Sequence, residues 1–178
     1  MSYIIAKDDV TLTKRELFRV NAREAGIARA VSKFGMSKDE FVARQLLNIT
    51  DIGAALEQWN TAALAVVGTQ YSVFQAAAPV TLAQNKILVI YGIGIETVPL
   101  PVSRLTVRLG SVTGNTYAEY DLESLANSDT TEGYFNEAVC IDPQIPFDVQ
   151  VTCRIATGAI ARVQLFNCLI EQVGPIIA

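Results

Sequence analysis

Three acidic residues at alternate positions, Glu119, Asp121 and Glu123, are the side chains of this 178-residue chain most suggestive of chemistry. On an extended strand, residues two apart share a face and lie about 6.7 Å from one another. That spacing admits a calcium site or the carboxylate pair of a glycoside hydrolase. Arg104 and Arg108 on the preceding segment offer the other reading, a solvated face neutralised across a hairpin. A carboxylate beside an arginine has a lowered pKa and is a poor general acid. Histidine is absent from the chain, which removes the commonest general base, proton shuttle and metal ligand. Cys140, Cys153 and Cys168 lie far apart with no Cys-x-x-Cys. They cannot complete the usual Cys/His zinc site and read as small buried fillers. Gly92-x-Gly94-x-x-Thr97 mimics part of a dinucleotide fingerprint, but it falls within a predicted strand with no helix after it. It reads as a bulge or a tight packing point. No catalytic residue, metal or cofactor is expected.

The second group with binding chemistry is basic. Arg15, Arg19 and Arg23 recur every four residues, and Arg29 and Lys33 extend the run, so residues 13–34 hold six basic and two acidic side chains. A solvated face, docking onto an acidic protein surface and nucleic-acid contact are the three readings. Charge is split along the chain: residues 1–48 carry nine Lys/Arg against six Asp/Glu, and residues 69–178 carry five against ten. An acidic β-region does not suit a nucleic-acid binder. The split suits a protein whose two ends meet different neighbours, or whose copies meet head to tail.

The elements that must position these groups change character near Gly68. Before it, Thr13-x-x-Glu16 predicts a capping box opening a helix over 13–34, with Leu17, Val20, Ile27, Val31 and Phe34 on its apolar face and Gly35 ending it. Ser37-x-x-Glu40 predicts a second helix to about Asn48. Asp51 predicts a third, whose Ile52, Ala55, Leu56, Trp59, Ala63, Val66 and Val67 repeat at helical spacing up to Gly68. After Tyr71 the period becomes two, and strands are expected at 71–76, 79–83, 87–95, 103–112, 116–123, 133–141, 147–156 and 160–170. The expected fold is therefore α+β: a three-helix module over 1–68 followed by an antiparallel β-sandwich over 69–178, jelly-roll-like, with about eight strands. Apolar residues at 51% and charged ones at 18% fit a packed globular chain. The apolar run Ile87 to Ile95 is too short to cross a bilayer. The N-terminal residues lack the pattern of a signal peptide, so folding in a cytoplasm is expected.

One hairpin is specified to the residue. A two-residue Gly114-Asn115 turn sets Leu109 against Tyr120 and Val107 against Leu122 on one face, with Arg108 against Asp121 and Thr106 against Glu123 on the other. The polar stretch from Leu125 to Gly133 is the most obvious exposed loop for binding.

The segment from Lys86 through Gly174, ending Ala161-Arg-Val-Gln-Leu-Phe-Asn-Cys-Leu-Ile-Glu, resembles the single jelly rolls of tailed-phage virion proteins, small capsid decoration (cement) proteins above all. The resemblance rests on strand pattern over about half the chain. It implies a non-enzymatic, shell-stabilising role at subunit junctions, as a homo-oligomer (dimer or trimer) in the virion, with protein partners and neither nucleic acid nor membrane. Arg15, Arg19, Arg23, Arg29, Lys33, Glu119, Asp121 and Glu123 are then candidate interface residues. A fibre or baseplate module with a carbohydrate-binding jelly roll is the alternative, and a β-sandwich enzyme working through carboxylates is a third reading.

Overall fold

A computed structural model describes residues 2–74, 78–97, 99–127 and 131–173. Alternation of apolar and polar residues builds ten strands: β1 (Ile4–Ala6), β2 (Phe41–Arg44), β3 (Trp59–Asn60), β4 (Gln70–Ser72), β5 (Lys86–Ile95), β6 (Val102–Leu109), β7 (Asn115–Asp121), β8 (Glu132–Ile141), β9 (Phe147–Cys153) and β10 (Arg162–Gln172). They form two antiparallel sheets. The larger runs β1-β8-β5-β10-β2, with β3 also on β10, and the smaller runs β4-β9-β6-β7. Leu88, Ile90 and Ile93 of β5 and Leu165 and Leu169 of β10 face Leu105 and Val107 of β6 and Val149 and Val151 of β9 in one core between the sheets.

Two helices are present among the described residues, α1 (Leu12–Phe34) and α2 (Asn48–Ile52), so the expected three-helix module is not what forms. The Ser37/Glu40 capping box is made, but it opens only a single 3-10 turn at Lys38–Glu40 before the chain extends into β2. Phe41 buries its ring beside Phe34 of α1 while β2 pairs with β10. The expected third helix stops at Gly53, and Trp59 is buried in β3, its ring 5.2 Å from Phe74, instead of lying on a helix face. Short segments before Gly68 thus complete the larger sheet, and tertiary pairing overrides a helical periodicity that was local.

α1 is capped two residues earlier than Thr13. Thr11 is its N-cap, its Oγ1 accepting from the amide of Lys14. The helix lies on the outer face of the larger sheet, and the expected apolar face holds in part: Ile27, Val31 and Phe34 pack inward. Ala22, Gly26, Ile27 and Ala30 make the buried seam, against Ile87, Val89, Cys168 and Ile170, while Leu17 and Val20 stay half exposed. The seam is small because the approach is close: a Cβ on Gly26 would stand 2.7 Å from both Ile170 and Val89 side chains.

The β6–β7 register also differs from the expected one. Arg104 faces Asp121, Leu105 faces Tyr120 and Thr106 faces Glu119, four residues away from the Gly114-Asn115 hairpin, with a bulge after Val107. The strands are joined by residues 110–114 instead of a two-residue turn. A slip by an even number keeps every side chain on its face, so Tyr120 is still inward and Asp121 outward.

Candidate functional site

The eight candidate residues separate into distinct roles. Arg15 is turned back to the chain's start, Nε donating to the carbonyl of Val10 at 3.0 Å and Nη2 to that of Lys7 at 2.8 Å. Arg29 and Lys33 both reach Asp142, beyond the end of β8, at 2.8 and 2.9 Å, and clamp the second half of α1 to the sheet. The Arg29 hydrogen bond, aided by Lys33 and opposed by burial, holds the Asp142 carboxyl below its ordinary range. Only Arg19 and Arg23 of the original stripe remain turned outward as a pair. Arg19 has an exposed partner in Glu16 at 3.0 Å, and Arg23 makes no ion pair among the described residues.

The acidic trio does not form one face. Glu119 and Asp121 are exposed on β7, but the strand ends there, and Glu123 begins a 3-10 helix over Glu123–Asn127. Glu119 lies 3.4 Å from Arg104, and Asp121 accepts the amide of Glu123 at 2.8 Å. Arg108 does not meet Asp121. It donates instead to Gln150 Oε1, Gln70 Oε1 and the Gly114 carbonyl. Of the polar loop expected over 125–133, residues 128–130 lie outside the described residues, while Leu125 is fully buried. Among the described residues no three His, Cys, Asp or Glu side chains gather to hold a metal, and no helix is long and apolar enough to cross a membrane. The three thiols are unpaired and raised by burial.

What the residues do assemble is a groove where α1 crosses the larger sheet. Small residues seat the second half of the helix. Its first half rests on an aromatic block: Phe18 stacks on Tyr134 at 5.0 Å, Tyr134 meets Phe166 at 5.6 Å, and Phe166 meets Tyr91 at 6.3 Å. Gly92 makes room for this block, since a Cβ there would stand 2.6 Å from Phe166 and from the Gly133 carbonyl oxygen. The glycine pair therefore marks a bulge and a tight packing point, and β5 shifts register beside it. Open space remains alongside the helix. One cavity of about 530 Å³ is lined by Arg19, Val20, Arg23, Arg44, Tyr91, Phe166 and Asn167. Another of about 450 Å³ is lined by Arg15, Arg19, Tyr91, Tyr134 and Phe166. Arg19 rims both.

Two polar clusters are not among the expected sites. Asp51 of α2, shut off from solvent, binds Arg44 of β2 and Lys86 of β5, and both cations also reach Glu171 of β10. Burial alone would raise the Asp51 pKa, but hydrogen bonds from Arg44, Lys86 and the Leu47 amide hold it well below the carboxylate range. On the outer face of the smaller sheet, Asp148 is fully buried and accepts from Ser72 and Gln150. There burial prevails and the pKa is raised. A charged residue between two strand-core residues, as in Phe147-Asp-Val, is the one signal that could have flagged it.

Comparison of the chain with protein-family models, with curated proteins and with solved structures finds no match in any of the three.

Proposed function

We propose that the chain is a non-enzymatic structural subunit of a phage-like particle, one of many copies, of the decoration or cement kind that bridges neighbouring subunits. The observation that carries this reading is the placement of opposite charges. Arg19 and Arg23 stand on α1, outside the larger sheet, and Glu119 and Asp121 stand on β7, on the outward face of the smaller one. An outer face with a surplus of cations on α1, and another whose exposed carboxylates stand beside Arg104, suit contacts with two different neighbours, the charges setting orientation. Leu17 and Val20, 50% and 46% exposed beside those arginines, add the apolar area that a stable contact needs.

The strand order adds a second support. Read without β1 and β2, the sheets run β3-β10-β5-β8 and β4-β9-β6-β7, the alternation between sheets of an eight-strand jelly roll, a fold used by capsid domains. The carbohydrate-binding alternative is weaker, because Trp59, the sole indole, is buried against Phe74 and offers no platform.

The test is incorporation into particles. Co-purification with particles at a fixed copy number supports the reading, and a free monomer beside complete particles sinks it. Arg19→Glu with Arg23→Glu should lower occupancy, most at low salt, while leaving the isolated chain folded, since neither side chain is held in the structure except by Glu16.

A further inference from the structure

The larger sheet has a break in it. β10 pairs along its whole length with β5, but on its other side it pairs only at Arg162–Val163, with β3, and at Leu169–Gln172, with β2. On that side, residues 164–168 face no strand among the described residues. The direction of their backbone groups follows from the alternation on either side. Arg162 accepts from Glu96 and Gln172 donates to Asn85, so even residues turn toward β5; Ala161 accepts from Thr61 and Val173 donates to Glu40, so odd residues turn the other way. Leu165 and Asn167 therefore direct their backbone groups into the break. The Asn167 side chain fills part of it, donating to the Leu165 carbonyl and accepting from the Leu46 amide.

The break is also open space. A cavity of about 240 Å³, bounded by Leu46, Trp59 and Asn60, shares Gln164, Leu165 and Asn167 with the 530 Å³ cavity under Arg19 and Arg23. Asn60 is buried at its β3 end, and its Oδ1 has no partner among the described residues.

We propose that this break is a slot for an extended acidic segment of a partner protein, which adds a short strand to β10 between β2 and β3. Strand addition draws affinity from main-chain hydrogen bonds and specificity from alternate side chains. Five residues cover about 16 Å, so the segment is short. Its inward side chains are apolar, meeting Leu46 and Trp59; its outward ones are acidic, meeting Arg19 and the unpaired Arg23. The proposal rests on the reading of the chain as an assembly subunit and names how one neighbour is held.

The probe is the peptide acetyl-Thr-Glu-Val-Glu-Val-amide, with its twin carrying N-methyl groups on alternate amides. Hydrogen exchange by NMR on the whole chain should show the amides of Leu165 and Asn167 exchanging faster than that of Leu169, and slowing about tenfold or more when peptide saturates. Binding should weaken with salt, fall about tenfold in R19E/R23E, and be lost in the N-methylated twin, which keeps the charge but not the strand bonds. Any of three results overturns the slot: no binding, equal binding of the N-methylated peptide, or amides of Leu165 and Asn167 already as protected as that of Leu169 in the free chain. No particle enters this experiment, so the slot can fail while incorporation stands, and the reverse.

Discussion

Arg44 holds Asp51 with both ends of its guanidinium, Nη1 at 2.6 Å from one carboxylate oxygen and Nη2 at 2.7 Å from the other. Lys86 also donates to Oδ1, the oxygen that Nη2 holds, at 2.6 Å, and the Leu47 amide donates to Oδ2, the oxygen that Nη1 holds, at 2.8 Å. One carboxylate thus ties α2 to β2 and β5. Removing one partner of a buried pair strands the other charges, so Asp51→Ala should destabilise by about 3 kcal/mol, the lower end for such pairs because Arg44 is partly solvated. Glu171→Gln, at a carboxylate 30% exposed, should cost about 1 kcal/mol or less. Urea unfolding of the two variants measures the contrast.

Gly92→Ala should be costly although alanine suits a strand better than glycine. The new methyl would meet the Gly133 backbone oxygen and the Phe166 ring, both at 2.6 Å, and overpacking of this kind costs about 1–3 kcal/mol. Gly94→Ala has the Glu132 Cγ as its nearest neighbour at 3.2 Å, the stem of a flexible side chain, and should shift stability by about 0.5 kcal/mol or less. Thermal melts of both separate packing from propensity.

These two sites show how much of the molecule could be read before its folding was known. β5 through β10 lie close to the expected strands, because each carries enough alternating residues for period two to stand out. α1 is legible for the same reason at period 3.6, though its buried seam is not: Ala22, Gly26 and Ala30 are chosen by closeness of approach, which hydrophobicity does not report. Phe41–Arg44 and Trp59–Asn60 are too short for any period to show, and their pairing with β10 is decided by partners over a hundred residues away. The basic stripe was visible as a stripe, but nothing local says that Arg15 turns to backbone carbonyls or that Arg29 and Lys33 find Asp142. Nor does any spacing announce a break in the partners of β10, which is a property of the sheet.

The Asp142 clamp predicts acid sensitivity at the helix. Its carboxyl is held low by Arg29 and then Lys33, so the fold favours the ionised form. That contribution is fully present above the ordinary carboxylate value near ~4 and is lost as pH falls through the lowered native value. Asp142→Asn should therefore flatten the decline of unfolding free energy below about pH 4. At neutral pH it should cost about 1 kcal/mol, since Arg29 and Lys33 are substantially exposed. An unchanged acid limb would show that the clamp does not couple to folding.

Asp148 should behave with the opposite sign. Burial raises its pKa, against hydrogen bonds from Ser72, Gln150 and the Val149 amide and the charge of Arg108. The fold therefore favours the protonated form more than the unfolded chain does. Its stabilising share is complete below about pH 4 and declines as pH rises through the raised native value. Asp148→Asn keeps the shape and can still receive Gln150, so it should gain on the native chain between about pH 4 and 7. Arg108→Ala should act the other way. It removes charged hydrogen bonds to Gln150, Gln70 and the Gly114 carbonyl, at about 1.5 kcal/mol or more, and takes away a cation that eases Asp148 ionisation. Its loss of stability should therefore be larger at pH 7 than at pH 4, and that difference should vanish when Asp148→Asn is added. Urea unfolding of the two single variants and the double at both pH values closes the cycle. A pH-independent Arg108→Ala penalty would mean that its charge does not reach Asp148.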